Sequence, residues 1–182
     1  GRVEVEGTRL GTPFRVHAAR AIVTLPLGVL QLPPSDPSAV RFVPGLDNKH
    51  DALSLLASGP ALKVILRFRS AYWEQLAQGP NRNAGFFHAP DAAFPTFWTS
   101  HPARAPLLVA WAGGPRARRL STLEPSAIVR EAQQSVAVLF GSRHTDPEFE
   151  GGYVHDWQRD PYARGAYSYV CVPGQGARKA LG

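Results

Sequence analysis

Along ALKVILRFR, residues 61–69, apolar and polar positions alternate. Leu62, Val64, Leu66 and Phe68 share one face, and Lys63, Ile65, Arg67 and Arg69 share the other, the pattern of a strand with one side in a core. Upstream, Val3 to Glu6 alternates apolar and acidic residues, and Phe14 to Ala18 answers across LGTP, which predicts a hairpin. AIVTLPLGVL is a continuous apolar run halted by Pro26 and Gly28, and predicts a short buried strand followed by a turn. Shorter strands are expected near GFF, PTFW and LLVAW.

Helical spacing appears twice. Glu124 to Phe140 carries Ile128, Val129, Ala132, Val136, Leu139 and Phe140 along one side, with Pro125 in its first turn and Gly141 at its end. A shorter helix is expected from Asp47, with Asp47 or Asn48 as cap, Ala52, Leu53, Leu55 and Leu56 as inner stripe, and Gly59 as stop. The Pro-rich connector LPPSDPSAVRFVPG marks a domain boundary, and SRHTDPEFEGG reads as a polar loop. PGQGARKALG also reads as a loop: Lys179 stands where a dinucleotide fingerprint needs its third glycine, and nothing there opens a βαβ unit. Strands and helices without regular βαβ alternation give an α+β class.

Composition narrows the chemistry. At 44% hydrophobic and 19% charged, the chain can bury a core. The formal charge of +6 comes from scattered arginines with one cluster, Arg116, Arg118 and Arg119. No stripe of charge interleaved with aromatics appears, so the composition argues against nucleic-acid binding. The single Cys171 excludes an internal disulfide and a cysteine-based zinc cluster, and a reducing, cytoplasmic setting is the expectation. The six histidines show no HxxxH or HExxH spacing, and no GxSxG elbow occurs, so no metal or hydrolase site is expected. His155 and Asp156 read as strand-end residues. No apolar run approaches the roughly 18 residues of a membrane span. The chain has no Met and opens directly in a strand pattern, which reads as a portion of a longer polypeptide.

Two places could carry chemistry. Lys63 shares its face with Ile65, so that face is either solvated or lines a cavity in which desolvation would disfavour the ammonium. DWQRDPYARGAYSYV, residues 156–170, concentrates Trp157, Tyr162, Tyr167 and Tyr169. These rings either pack a corner or wall a slot for a flat conjugated ring or an amine. Residue types alone leave both pairs of readings open.

Three segments together, ARAIVTLPLGVLQ, GPALKVILRFRSAYW and DWQRDPYARGAYSYV, resemble in order and separation the flavin-containing amine oxidases. That family includes polyamine oxidases, monoamine oxidases and lysine-specific histone demethylases. The resemblance implies a mixed β-sheet flanked by helices as substrate-binding domain, over residues 33–170. It makes 1–32 a returning, partial segment of the FAD-binding domain and 171–182 the truncated start of a return toward it. It implies oxidation of an amine to an imine by hydride transfer to FAD, with oxygen reoxidising the flavin to give peroxide. Lys63 matches the family lysine that holds a water near the flavin. Thr24, Leu25 and Pro26 match the turn beside the flavin, Trp157 and Tyr162 the aromatics near its ring, and Ala166 and Tyr167 the substrate cage. Mitochondrial monoamine oxidases carry a flavin-linking cysteine where Ala166 stands, so non-covalent FAD is implied. The FAD-domain segments with the glycine-rich fingerprint would lie outside these residues, and the fragment alone would be inactive and bind little FAD. Two alternatives remain: a non-catalytic binding module of this fold, using the Arg116 cluster on an acidic partner, or a desaturase-like or porphyrinogen oxidase-like flavoprotein. The lysine strand and DPYARGAYSY favour amine oxidation over the latter.

Overall fold

The computed structural model describes residues 1–181, apart from the side chain of Asn48. The chain opens with a hairpin. Strand β1 (Val3–Arg9) pairs antiparallel with β2 (Thr12–Ala18), from Val3 opposite Ala18 to Arg9 opposite Thr12. Leu10 and Gly11 make the two-residue turn with φ of 51° and 80°, the left-handed geometry that suits the twist of a hairpin. Arg15 on β2 pairs with Glu4 and Glu6 on β1.

The buried strand expected in AIVTLPLGVL does not form. Residues 19–26 are irregular, and Ile22 is 90% exposed. A strand needs a neighbour for its backbone groups, and no strand among the described residues pairs with this run. The chain turns at Pro26 into the short helix α1 (Leu27–Leu30). The Pro-rich connector then leads to α2 (Asp47–Ser54). Asp47 sits in its first turn, where a carboxylate complements the helix dipole, but makes no side-chain cap; Leu46 is the N-cap residue. The other expected cap, Asn48, has its side chain outside the described residues.

Helix α2 stops earlier than its apolar stripe suggests. Leu56–Gly59 forms β3, which pairs antiparallel with a strand near the C-terminus. The open edge offered by that partner satisfies the backbone of 56–59 in a way one more helical turn would not.

Strand β4 (Ala61–Phe68) is the centre of the fold. Two 3₁₀ turns, Tyr72–Glu74 and Leu76–Gln78, follow, then β5 (Phe86–His88), β6 (Thr96–Thr99) and β7 (Leu107–Gly113). Helices α3 (Gly114–Leu120), α4 (Pro125–Phe140) and α5 (Ser142–Glu148) come next, then β8 (Phe149–Asp156), β9 (Tyr167–Val170) and α6 (Ala177–Leu181). The main sheet has the order β5-β6-β7-β4-β8, and β9 is the partner of β3. The class is α+β, as expected; every strand pairing among the described residues is antiparallel.

Alternation on β4 decides what the sheet does. Leu62, Val64 and Leu66 are 0% exposed, and together with Phe97, Leu108, Ala110 and Ala112 they meet Ala117, Leu120, Ile128, Ala132 and Val136 of α3 and α4. Helices α3 and α4 pack against β4, so the core lies on one side of the sheet. On the other face lie Lys63, Ile65 and Arg67, and Ile65 is among the exposed apolar residues.

Two loops of the sequence reading are helical, and so is GPRARRL, for which no element was expected. GPRARRL forms α3, because Ala117 and Leu120 find the β4–β7 surface. SRHTDPE forms α5, anchored by buried Thr145, whose hydroxyl lies 2.9 Å from the Tyr72 hydroxyl. ARKAL forms α6, and the Lys49 ammonium donates to the carbonyl of Ala180 at 2.9 Å.

Burial pushes the Tyr72 phenol up from 10.0 to about 12; its bond to Thr145 opposes the shift, and Glu148 and Asp146 add to it. Below pH 10 both folded and unfolded states hold this proton, whereas between 10 and about 12 the unfolded state releases it first. The chain is therefore expected to lose stability as pH rises through this window, and Tyr72→Phe to remove that part of the loss; urea midpoints at pH 9 and 11.5, values of roughly the two limits, check it. Leu66→Ala should destabilise by about 2–5 kcal/mol. Arg67→Ala, which loses only an exposed pair with Glu150, should cost under about 1 kcal/mol in the same denaturation assay.

Candidate functional site

The face of the sheet opposite the core is built in register. Directly paired residues of antiparallel strands share a face, so one row reads Phe86, Trp98, Val109, Ile65, Tyr153 across all five strands. The next row reads His88, Thr96, Trp111, Lys63, His155. Lys63 thus sits near the middle of an aromatic-rich surface. Its Nζ lies 5.6 Å from the centroid of the Trp98 ring, a cation–π distance. Trp111, its register partner on β7, folds back over its own strand: a Cβ added at Gly113 would lie 2.6 Å from that ring.

A compact loop adjoins this face where β8 ends. The Trp157 ring lies edge-on to His155 at 4.2 Å. The N–H of Arg164 donates to the carbonyl of Asp160, and the N–H of Gly165 donates to the carbonyl of Trp157, so residues 157–165 close on themselves. Gly165, with φ of 148°, presses against the Ser58 side chain where any Cβ would collide. The N–H of Ala166 donates to the carbonyl of Gly59, and β9 begins with Tyr167 opposite Gly59. The Tyr167 ring fills the space of the absent side chain; a Cβ on Gly59 would be 2.5 Å from it.

Segment 24–26 reaches the same place through α1. A Cβ on Gly28 would collide with the carbonyl oxygen of Arg164 and lie 2.9 Å from that of Ala163, so α1 rests directly on the loop backbone. Arg164 Nη1 also reaches Asp36 Oδ2 at 3.5 Å. The expected site residues therefore form one connected region: Thr24, Leu25 and Pro26 lead into α1, α1 touches the 157–165 loop, and that loop joins Lys63 through Trp157 and His155.

The geometry bears on the readings left open for Lys63 and the aromatic loop. Within the described residues Lys63 is half-buried rather than enclosed, and Ile65, Phe86 and Tyr153 on the same face are exposed. The ring against its ammonium is that of Trp98. Trp157, Tyr162, Ala166 and Tyr167 are all exposed, Tyr162 at 83%. A recess of ≈ 940 Å³ does occur, but it lies between the connector and α2, near Phe42 and His50, away from these residues. Sequence reading also missed Trp98, Trp111 and His155. The alternation in LLVAW and PTFW carried a signal for the first two, but only register reveals which residues stand beside Lys63. Arg116 donates to the Pro90 carbonyl at 2.6 Å, and Arg118 and Arg119 are exposed on α3, on the helical side of the sheet.

Comparison with known proteins fits this geometry. The model of the family described as flavin containing amine oxidoreductase matches residues 3–180. The chain belongs to that family. Lysine-specific histone demethylase 1 homolog 3 of Arabidopsis thaliana is 31% identical over 157 residues, covering 85% of this chain and 9% of that protein. Probable polyamine oxidase 4 of the same plant is 31% identical over 173 residues, covering 93% of this chain and 31% of that protein. Cyclohexylamine oxidase from Brevibacterium oxydans has the same fold at a TM-score of 0.70 and 19% identity, covering 92% of this chain and 35% of its own. The chain thus spans between 9% and 31% of the length of these two curated relatives.

The close approach of α1 to the loop is testable. Gly28→Ala should push the two apart and destabilise the chain by about 1–3 kcal/mol, the usual cost of overpacking. Faster proteolytic nicking within 157–165, with a lower urea midpoint, is the expected readout.

Proposed function

We propose that these residues form the substrate-side portion of an FAD-dependent amine oxidase. The observation that carries this reading is a half-buried lysine on the sheet face opposite the core, beside Trp98 and in register with His155, whose ring meets Trp157 of the exposed aromatic loop on which α1 rests. Residues 1–32 would belong with the FAD-binding domain, 33–170 with the substrate domain, and 171–182 with the return toward the former.

The residues present fit one side of a flat ring. Trp157, Tyr162 and Tyr167 expose ring surface, and the glycines at 28, 59 and 165 let backbone and rings approach where side chains would block them. Bound against these residues, FAD would supply a two-electron acceptor for the carbon beside the amine, so that the amine would leave as an imine and oxygen, as terminal oxidant, as hydrogen peroxide. Nothing at Ala166 could bond covalently to it, so it would be held without a covalent link.

The chain's own residues have distinct parts in this scheme. The Lys63 ammonium donates hydrogen bonds to a water beside the reacting atoms, and the Trp98 face keeps it from swinging into solvent. Tyr167 lines the amine's path, and Trp157 and Tyr162 exclude water from the ring. Desolvation of Lys63 would follow only once the rest of the protein covers this face. For that reason the 182 residues alone should be inactive and bind little FAD.

Lys63→Met in the whole protein tests the reading. The variant should keep its flavin absorbance but lose about 10²-fold in amine turnover or reoxidation, the scale of a lost proton-handling group. Unchanged turnover and reoxidation would reject it. Peroxide release across a panel of monoamines and polyamines then separates amine oxidation from other flavin chemistry.

A further inference from the structure

The cluster Arg116, Arg118 and Arg119 takes no part in the surface around Lys63. Arg116 is committed to the Pro90 carbonyl. Arg118 and Arg119 are exposed in the last turn of α3, and among the described residues neither reaches a carboxylate. They run directly into Leu120 and Ser121, and Ser121 is the one serine or threonine of the chain that two adjacent arginines precede by three and two positions. Ser121 is the C-cap residue of α3 and only half-buried. It is also where α3 meets the aromatic loop. The Gln158 amide donates to its hydroxyl oxygen at 3.2 Å, and Arg159 Nη2 donates to its carbonyl at 2.7 Å. Neither bond uses the hydroxyl proton. Arg159 keeps 63% of its side chain exposed, and the carboxylate of Asp156 stands 3.8 Å from its Nε, beyond hydrogen-bond length.

We propose that Ser121 is a phosphorylation site for a basophilic protein kinase, and that Arg159 holds the phosphoryl group and so pins the aromatic loop to α3. Two exposed arginines just ahead of a serine fit the acidic substrate cleft of such a kinase, where carboxylates pair with the guanidinium forks. In the transfer, Ser121 Oγ forms a bond to the γ-phosphorus of a nucleoside triphosphate held by the kinase. The bond to the β-phosphate oxygen breaks, the nucleoside diphosphate leaves, and the hydroxyl proton passes to the kinase's catalytic aspartate. A kinase takes its substrate extended, so the end of α3 must open. That helix has seven residues and buries only Ala117 and Leu120, too short a helix to persist without its packing. The product carries a charge of about −1.5 to −2 near neutral pH and three strong acceptor oxygens. The partial negative charge at the end of α3, about half an elementary unit, opposes it, but Arg118, Arg119 and Arg159 each bring a full positive one. Arg159 gains most, because it already touches the Ser121 backbone and lacks a well-aligned carboxylate. The site does not depend on the flavin reading; the loop it pins is the one that reading sets beside the ring.

The test uses the whole protein with cyclic-AMP-dependent protein kinase, ATP and Mg²⁺, read by peptide mapping in a mass spectrometer. One phosphoryl group is expected on Ser121, and none there in Ser121→Ala. The rate at Ser121 should fall by about tenfold or more in Arg118→Ala and in Arg119→Ala, the loss of one hydrogen bond to a charged group. A free peptide of residues 115–125 is the accessibility control. Modification of the peptide but not of the folded protein would overturn the proposal, as would modification of neither, or an undiminished rate in both arginine variants. For the pinned loop, chymotrypsin cleavage at Trp157 and Tyr162 should be about fivefold slower after phosphorylation, the scale of one exposed ion pair. Arg159→Ala should abolish that protection, and Arg159→Lys, which keeps the charge without the planar fork, should retain part of it. Equal cleavage before and after phosphorylation, or full protection in Arg159→Ala, rules out the pinning. Neither readout involves flavin, so a fully active Lys63→Met would reject the function proposed above and leave this site standing.

Discussion

The double pairing of β4 is the constraint on which the rest depends. Both edges of this strand are hydrogen-bonded, to β7 and to β8, and its inward residues are sealed under α3 and α4. With the backbone fixed on both sides and the inner face packed, side chains on the outer face have no freedom to exchange sides: a slip of one residue would drive Lys63 and Arg67 into the core. Placement of the lysine is therefore enforced by the hydrophobic packing behind it. The outer face of the sheet is positioned by Leu62, Val64 and Leu66 on the inner one.

The two sides of the sheet are under different constraints. The helical side of the sheet is committed to stability, and its residues are closely packed and apolar. The outer side carries the row Phe86, Trp98, Val109, Ile65 and Tyr153, whose side chains can change without disturbing the core. Family membership follows from the match over residues 3–180.

Much of this was legible in the sequence, and the reasons for the rest are specific. The period-two alternation of 61–69, the hairpin and the long helix at 125–140 were readable because each has a local pattern and a local stop signal. Helix α3 was not, since GPRARRL has few apolar residues and gains its place only by docking Ala117 and Leu120 on the sheet. Strand β3 was hidden because its partner, β9, lies more than a hundred residues away, and long-range pairing leaves no mark on a short window. The burial expected for 19–26 failed for a related reason: an apolar run is buried only if something meets it. Among the site residues, types and spacing pointed to Lys63 and the aromatic loop, but the companions Trp98, Trp111 and His155 come from register, which spacing along one strand cannot give.

The seat of Gly28 on the Ala163–Arg164 backbone has a mechanical consequence. Two stretches far apart in the chain are joined there without an intervening side chain to act as a cushion, and the loop is further clamped by Gly165 against Ser58. Such a junction leaves neither stretch much room to shift without the other. A guest that nudges the tyrosine-bearing strand would tug the 24–26 bend along with it, as one lever rather than two independent flaps.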